Sequence, residues 1–495
     1  MITSSQLTGL RTSLPLVAER ADAIAVDFYA RLFDERPDLL RDQFNRGDQA
    51  QGRQQRELAL TMLALARDVV GTQVGVGRSV ARGREASAST AVAPWSSPAA
   101  ASWEVRAAAR ETTSRLAQRH AAIGVGPGEY DLFARHLAAA FAAALGPAWT
   151  DEVADGWRAL YEQTRDELVS SVAAVYRRAD LEPGDDWREA RVTERRVEAE
   201  DVVALTLVSA DSEALPAYRA GQFASIQVTL ADGARQIRQY SLRGGADEQW
   251  RVSARVLTGV PELGLPPGEV SNHLLAHVQV GDVVSVSPPI GSLTVDELDD
   301  APLVLVSAGI GCTPVLGMLD HLARVDPDRD VTVLHFERTP ERHAHRTELE
   351  ALVAALPRGR LRVSYTQGSL SALSAASTSG VAGTSGVAST SGVASTSGAA
   401  GTDAIGPGDV DASLDGAGAY LDPIDLGTVD LTPQHRVFLC GPVPFMAIVR
   451  AALIEHGVPA ERVHHFVFGP DDGSVTGTDT GQRRRTDAGG WLDPD

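Results

Sequence analysis

The spacing of apolar residues changes twice along the chain, near residue 187 and again near residue 300. From Gln6 to about Arg178 they recur mostly at three- and four-residue steps, which is typical of amphipathic helices. Short β-rich runs separated by turn residues follow, and this pattern favours a small antiparallel β-barrel. From residue 300 apolar strands alternate with helices, which indicates a parallel α/β sheet. We therefore predict three domains, at 1–178, 187–298 and 300–470.

Composition narrows the class of protein. The chain has 495 residues, too many for one core, and a net charge of −20 that argues against nucleic acid as a partner. Its two cysteines, Cys312 and Cys440, exclude a disulfide framework and a cysteine-rich metal site. No apolar run is long enough to cross a bilayer, and the amino terminus lacks the apolar core of a signal peptide. We expect a cytoplasmic protein without stable membrane insertion.

Three segments break these patterns. An insert at about 371–418 contains the repeat STSGVA, GTSGVA, STSGVA, STSGAA, which lacks the large apolar residues that a solenoid must bury. We predict that it is disordered, together with the Gly-, Thr- and Arg-rich tail at 471–495. Ala86–Ser102, rich in Ser, Pro and Ala, interrupts the helical region and is expected to form a long loop.

A glycine-rich turn stands at Ser307–Pro314 (SAGIGCTP), where it follows an apolar strand and opens a helix. Gly309 and Gly311 let the backbone turn tightly and approach a pyrophosphate, whose charge suits the N–H groups at a helix start. A glycine pair alone is equally compatible with a plain strand-to-helix turn. Its interpretation therefore depends on the neighbouring motifs.

Two upstream motifs are suited to phosphate as well. In RQYSL at Arg238–Leu242, strand alternation puts Arg238 and Tyr240 on one face. There a guanidinium can pair with a phosphate while the phenol packs on a planar ring system. GEVSNHL at Gly268–Leu274 is a glycine-containing turn into a helix, with Ser271 near the helix start.

Downstream, FLCGP at Phe438–Pro442 ends a strand, at the edge where α/β sheets bind ligands, and FVFGP at Phe466–Pro470 closes the region with aromatics. In this order and spacing the motifs resemble the ferredoxin–NADP reductase family over Trp187–Pro470. The resemblance implies an FAD-binding β-barrel and an NAD(P)-binding α/β domain. It implies FAD contacts at Phe223, Arg238, Gln239, Tyr240, Ser241, Ser271, Val467, Phe468, Gly469 and Pro470. It implies a nicotinamide site at Gly309, Ile310, Gly311, Cys312, Thr313, Pro314, Cys440, Gly441 and Pro442.

The chemistry of such a module requires two stacked rings, because a hydride passes from the nicotinamide C4 to the flavin N5. Flavin can then release its electrons singly, which suits a one-electron metal acceptor. Cys312 and Cys440 are interpreted as small packing residues beside the nicotinamide rather than as a redox disulfide.

A helical region ahead of a flavin reductase suggests a haem ligand. His120 stands in an apolar helical context in which a neutral imidazole could bind iron, and His136 is a competitor in the next helix. The segments DFYARLF, DQFNRGDQAQGRQQREL, AQRHAAIGVGPGEY and DEVADGWRALY resemble the globin domain of flavohaemoglobins over residues 1–178. The resemblance implies His120 as the proximal haem ligand and a tyrosine bonded to its imidazole, Tyr130. It implies a distal pocket formed by Tyr29, Phe44, Gln54 and Leu58.

Tyr29 is the expected distal donor, because one directed O–H in an apolar pocket can stabilise charge on dioxygen by roughly a few kcal/mol. The sequence departs from the family at one position that bears on rate. Counting without gaps from Trp157 and Tyr161 to Tyr176 puts Val172 where the family has a glutamate. Valine cannot accept a hydrogen bond, so the proximal imidazole would lose charge-donating help.

The family resemblance implies a nitric oxide dioxygenase that uses haem b, FAD and NADH or NADPH to convert NO and O2 to nitrate. Two alternatives stay open. One is a haem-linked NAD(P)H oxidase or peroxide reductase, which Val172 favours slightly, and the other is an O2 or NO sensor. Glu337 suits a ribose 2′-hydroxyl and Arg338 a 2′-phosphate, so NADH and NADPH are both compatible with the sequence. The expected oligomeric state is a monomer.

Overall fold

The computed structural model describes residues 2–82, 113–178, 187–211, 213–244, 249–261, 265–295, 300–366, 426 and 429–467. The predicted loop at Ala86–Ser102, the repeat insert at 371–418, the tail at 471–495 and the final motif residues Phe468, Gly469 and Pro470 lie outside these residues.

The first part of the chain is helical, as its apolar spacing predicts. Its helices are α1 (Ser4–Glu35), α2 (Pro37–Asp42), α3 (Arg46–Ala50), α4 (Arg53–Arg82), α5 (113–122), α6 (Pro127–Leu145) and α7 (Asp151–Arg178). The apolar face of α1 is buried against the other long helices through Leu10, Val17, Ile24, Phe28 and Leu32. The sequence did not predict α2 and α3, because helices of six and five residues are too short to show a period.

Two glycines allow the first and last of these helices to cross closely. A Cβ on Gly9 would lie 2.3 Å from the Glu152 carbonyl oxygen, and one on Gly156 would lie 2.6 Å from that of Gln6. Helices α1 and α7 therefore touch backbone to backbone at this crossing. The contact closes the helical core around Phe141 and Trp157, whose rings lie 4.7 Å apart.

Six antiparallel strands follow: β1 (Arg188–Ala199), β2 (Val202–Ser209), β3 (Phe223–Thr229), β4 (Arg235–Ser241), β5 (Trp250–Arg255) and β6 (Val283–Val286), with α8 (Glu269–Ala276) between the last two. Their order in the sheet is β4-β3-β6-β1-β2-β5. A bridge between Arg243 and Arg251 links the two outermost strands, so the sheet curls into a barrel around Leu207, Ile226 and Trp250.

The last region is a parallel sheet covered by helices. It contains β7 (Leu303–Ala308), α9 (Cys312–Val325), β8 (Val331–Glu337), α10 (Arg346–Ala354), β9 (Gly359–Tyr365), β10 (Arg436–Cys440), α11 (Val443–Glu455) and β11 (Val463–Phe466). The strand order is β11-β10-β7-β8-β9, so the chain extends the sheet from β7 first through β8 and β9 and then on the other side through β10 and β11. Sheets of this kind bind ligands at this switch point, outside the carboxyl ends of β7 and β10. The sequence did not predict β11, a four-residue edge strand that carries two polar histidines.

The predicted fold class, an all-α region followed by an antiparallel barrel and a parallel α/β sheet, is confirmed. In the described ranges, no helix combines the length and the apolar character that a membrane crossing requires.

Candidate functional site

The proximal side of the helical region is built by the turn between α5 and α6. His120 stands near the end of α5, and Gly124, with φ of 68°, lets the chain reverse before Pro127 opens α6. The turn brings the Tyr130 hydroxyl within 2.8 Å of His120 Nδ1. This hydrogen bond orients the imidazole, and among the described residues Nε2 has no hydrogen-bond partner of its own.

The environment keeps that imidazole neutral. Burial, and secondarily the neighbouring Arg119 guanidinium, lowers the pKa of His120 to about 4. A neutral imidazole has a lone pair to give to iron, so the free Nε2 fits a haem ligand. The competitor His136 instead has its Nε2 3.1 Å from the Glu35 carboxylate, which also pairs with Arg135.

Behind Tyr130 the surroundings are apolar. The Tyr161 hydroxyl donates to the Tyr130 carbonyl at 2.6 Å, which fixes the Tyr130 backbone. Val172 is buried in the same cluster as Tyr130, with Ala121 and Leu168. Within the part of the chain that the structure describes, the Tyr130 hydroxyl has no hydrogen-bond partner besides His120.

The expected distal residues come together from three elements. Tyr29 on α1 stacks on Phe33 with ring centroids 5.6 Å apart and meets the edge of Phe44 at 5.9 Å. Leu58 of α4 packs against the same apolar cluster. Burial is the main cause that raises the pKa of Tyr29, so its hydroxyl stays a donor at any working pH. Gln54 is turned toward α3, where its side-chain oxygen accepts from Gln49 at 2.5 Å.

An ion pair that the sequence did not predict joins α5, which carries His120, to α4, which carries Gln54 and Leu58. Arg119, the residue before His120, pairs with Glu57 of α4. Glu57 raises the pKa of Tyr29 and Arg119 lowers it, which indicates that both charges lie near the Tyr29 phenol. A charged residue beside a histidine in sequence gives no sign that it reaches the opposite helix.

In the barrel, β3 and β4 carry most of the residues expected to contact FAD. Phe223 is paired with Ser241 across the two strands, and Tyr240, which is half-buried, follows Gln239 on β4; desolvation raises the pKa of its phenol. The Arg238 guanidinium is half-buried and lies 3.9 Å from Glu269 at the start of α8. The strand and the helix start, with Ser271 in its first turn, thus converge as a phosphate site requires.

The helical region contributes directly to this corner of the barrel. The Arg238 guanidinium donates to Asn45 Oδ1 at 2.6 Å. Arg46 pairs with Glu269 at 2.6 Å and with Asp232 at 2.7 Å. Sequence reasoning missed these contacts, because Asn45 and Arg46 resemble ordinary surface-turn residues.

A cavity of about 440 Å³ lies where the three regions meet. Helix α5 supplies Gln118 and Arg119, and the barrel supplies Phe223 and Gln239. Phe466 of β11 and Val467, which follows the strand, line the remaining side. It combines an aromatic ring with amide and guanidinium donors, which fits a planar heterocycle such as a flavin ring. Three residues expected to contact FAD, Phe223, Gln239 and Val467, therefore line one space beside the helix that carries His120.

The expected nicotinamide residues meet at the switch point of the parallel sheet. Gly309, with φ of 56°, begins the turn after β7, and Ile310, Thr313 and Pro314 lead into α9. A Cβ on Gly311 would lie 2.4 Å from the Cys440 carbonyl oxygen, so glycine there permits the turn to touch the Cys440–Pro442 segment. Both cysteines are buried and unpaired, and burial raises the pKa of Cys312 to about 12. Each is therefore an inert thiol, in agreement with a packing role.

Two buried ion pairs join the barrel to the parallel sheet. Arg243 pairs with Glu348 at 2.8 Å, and Arg255 pairs with Glu337 at 3.0 Å. His345, a non-glycine residue with φ of 61°, lies between Ser253 and Glu348. These contacts fix the glycine turn relative to the flavin strands, and local sequence did not predict them.

Comparisons with known proteins agree with this architecture. A globin model matches residues 96–168, an oxidoreductase FAD-binding domain model matches 189–295, and an oxidoreductase NAD-binding domain model matches 305–384. A flavohemoprotein of Bordetella pertussis is 30% identical over 468 residues, which cover 93% of this chain and 96% of that protein. A flavohemoprotein of Chromobacterium violaceum is 28% identical and covers 96% of this chain and 100% of that protein.

Among solved structures, a flavohemoglobin from Malassezia yamatoensis, with bound FAD and haem, matches with a TM-score of 0.69 at 25% identity. The match covers 94% of this chain and 100% of that one. The chain therefore belongs to the flavohaemoprotein family and is an oxidoreductase in which a globin domain is joined to FAD-binding and NAD-binding domains.

Proposed function

We propose that this chain is a nitric oxide dioxygenase, which carries electrons from NAD(P)H through FAD to haem and converts NO and O2 to nitrate. The observation that carries the proposal is the position of α5. This helix holds His120, the proposed haem ligand, and also lines the cavity suited to a flavin ring, which supports an arrangement in which the two redox groups lie on either side of α5. An electron path between them is then short and internal to the chain.

When bound, FAD would supply the conversion of a hydride into single electrons, and haem would supply a one-electron centre that reacts with dioxygen. The overall reaction then balances as NO plus O2 plus one electron, giving nitrate. The remainder of the proposal concerns the residues of this chain.

His120 would hold the iron through Nε2, while its Nδ1 proton is donated to Tyr130. This hydrogen bond fixes both the tautomer and the plane of the ring, as outer-shell partners of metal-bound histidines do. Because burial keeps the imidazole neutral, protons do not compete for Nε2 at neutral pH.

On the distal side, Tyr29 would donate its hydroxyl toward negative charge that develops on dioxygen. Phe33 and Phe44 surround the phenol with apolar edges and faces. In such a low-dielectric pocket a single aimed donor is worth more than in water. Its raised pKa ensures that the proton is present to be donated.

In the reductase part, Phe223 and Gln239 would hold the flavin ring and Arg238 with Ser271 its phosphates. The turn Gly309–Pro314, pressed against Cys440–Pro442, would hold the nicotinamide on the opposite side. The barrel would then hold the flavin ring, and the parallel-sheet domain would hold the nicotinamide. The ion pairs Arg243–Glu348 and Arg255–Glu337 hold the two halves in register.

The experiment is NAD(P)H-dependent consumption of NO in air by the haem- and FAD-loaded chain, with nitrate counted against NO. The proposal predicts one nitrate per NO, and in Tyr29→Phe a rate lower by roughly 10- to 100-fold, the value of one hydrogen bond to a charged group. Tyr218→Phe, which removes a hydroxyl in the barrel and not in the globin domain that holds Tyr29, is the matched control and should retain most of the rate. NO loss that is independent of NAD(P)H, or that yields no nitrate, contradicts the proposal.

A second candidate is a haem-linked NAD(P)H oxidase or peroxide reductase. The observation that favours it is Val172, because an imidazole without a carboxylate behind its tyrosine donates less charge to iron. In the same assay this function would consume O2 or peroxide at the expense of NAD(P)H and leave NO largely untouched.

A further inference from the structure

The residues at the end of strand β8 determine whether this chain binds NADH or NADPH more tightly. β8 pairs in parallel with β7, and the glycine turn follows β7 directly. In parallel α/β sheets the pyrophosphate lies on such a turn and the adenosine ribose lies at the end of the next strand. The residues at that point here are Glu337, the last residue of β8, and Arg338.

Distances across the loop place Glu337, the residue before Arg338, beside the turn. A Cβ on Gly309 would lie 2.8 Å from Arg255 Nη1 and 3.8 Å from Glu337 Oε2. Position 337 is therefore within the reach of a nucleotide whose pyrophosphate lies on the turn.

Both oxygens of the Glu337 carboxylate already accept hydrogen bonds from the protein. Its side chain is 3% exposed. Oε2 accepts from Arg255 Nη2 at 3.0 Å, and Oε1 accepts from the Arg338 backbone N–H at 2.9 Å. A ribose 2′-hydroxyl could bind this carboxylate only by displacing a buried charge partner, which is costly. The acidic residue that would favour NADH is thus turned inward.

The Arg338 guanidinium, unlike the Glu337 carboxylate, has no charged partner among the residues that the structure describes. Two nearby arginines are paired, Arg342 with Asp201 at 2.9 Å and Arg346 with Glu350 at 2.9 Å. Arg338 is half-buried, and within the described ranges its guanidinium has no acidic partner. A guanidinium matches a phosphate with two parallel donors, so this position offers an anion site at the ribose end.

We propose that Arg338 binds the 2′-phosphate of NADPH and that this chain prefers NADPH to NADH as its electron donor. The inference concerns the reductase half alone and does not depend on NO as the substrate. Arg338 is then a specificity-determining residue, and the Arg255–Glu337 pair prevents the neighbouring carboxylate from repelling the phosphate.

The test compares two ligands that differ only in that phosphate, adenosine 5′-monophosphate and adenosine 2′,5′-bisphosphate. Their dissociation constants are measured by calorimetry on the haem- and FAD-loaded full chain. We expect the bisphosphate to bind more tightly by roughly 10- to 100-fold, since it gains hydrogen bonds to a charged group. Anaerobic reduction of FAD by NADPH and NADH should show the same preference in the nucleotide concentration at half-maximal rate.

Arg338→Ala should abolish the difference between the two ligands, and Arg338→Lys should keep part of it. The matched control is Arg358→Ala, which removes the same charge from the other end of the sheet, where Arg358 pairs with Asp330. Equal binding of both ligands by the unaltered chain overturns the proposal, as does a preference that survives in Arg338→Ala. Neither outcome bears on NO dioxygenation, because no O2 or NO is present.

Discussion

Val172 stands where counting without gaps from Trp157 and Tyr161 puts the glutamate expected from the flavohaemoglobin resemblance. It is buried in the same apolar cluster as Tyr130, whose hydroxyl bonds His120 Nδ1 at 2.8 Å. Because the valine side chain has no polar atom, position 172 offers the Tyr130 hydroxyl no acceptor for its proton. The imidazole is therefore oriented by Tyr130 but receives little negative charge through it.

Val172→Glu should restore that charge. We expect the carboxylate to accept from Tyr130, the haem midpoint potential to fall, and the rate of NO consumption to rise roughly 10-fold, as for other outer-shell partners. The cost is a free energy of unfolding lower by about 1–3 kcal/mol, because a carboxyl replaces a methyl pair in an apolar cluster. The potential is measured by spectroelectrochemistry and stability by denaturant titration.

The double variant Val172→Glu/Tyr130→Phe is the control, because the carboxylate then has no phenol through which to act. If the haem midpoint potential falls equally in the single and the double variant, the negative charge of the new carboxylate acts at a distance and not through a hydrogen bond from Tyr130. The account of Val172 given above would then be wrong.

At the scale of elements, α5 is the structural link between the globin domain and the flavin barrel. Its Ala122 carbonyl accepts from Ser225 of β3 at 2.6 Å, and its Gln118 donates to Ser292 at 2.9 Å. Helices α2 and α3 meet β4 nearby, where Asp42 pairs with Arg235 at 3.1 Å. The helix that carries His120, the proposed haem ligand, and helix α2 are thus joined to strands β3 and β4 by short polar contacts.

Arg46 tests how much this docking depends on charge. Arg46→Ala removes its pairs with Asp232 and Glu269, and such partly exposed pairs together contribute about 1 kcal/mol. We expect amide hydrogens of β4 and α8 to exchange about fivefold faster, because local opening costs less free energy. Arg31→Ala, which removes an ion pair within α1 alone, should leave exchange in the barrel unchanged. Unaltered exchange in Arg46→Ala would show that the arginine contributes nothing to docking.

Gly311 tests the contact between the glycine turn and the end of β10. In Gly311→Ala the new Cβ would approach the Cys440 carbonyl oxygen to 2.4 Å, so the two segments must separate. A shift of this size should slow reduction of FAD by NAD(P)H roughly 100-fold, while dithionite still reduces the haem normally. Gly128→Ala is the matched control, since no atom lies within 4 Å of its Cβ. Normal flavin reduction in Gly311→Ala would contradict the close approach.

Across the whole molecule, patterns within one element were predictable and contacts between elements were not. Val283–Val286 is a strand with the predicted bounds, and Val331–Phe336 differs from β8 by one residue, because β-branched apolar runs bounded by turn residues favour strands. The partners Arg238 and Asn45 lie 193 residues apart in sequence, and a polar residue on a turn gives no sign of a distant partner. The predicted monomer, the domain bounds and the roles of the site residues remain predictions.

The central claim is that one chain passes electrons from NAD(P)H to a site that adds both atoms of O2 to NO. Its most direct test is turnover of NO under ¹⁸O₂ with NAD(P)H and the haem- and FAD-loaded chain, followed by mass spectrometry of the nitrogen oxides formed. The account predicts nitrate that contains two ¹⁸O atoms and one oxygen from NO. Nitrate with fewer labelled atoms, or labelled water and peroxide formed without nitrate, would contradict it.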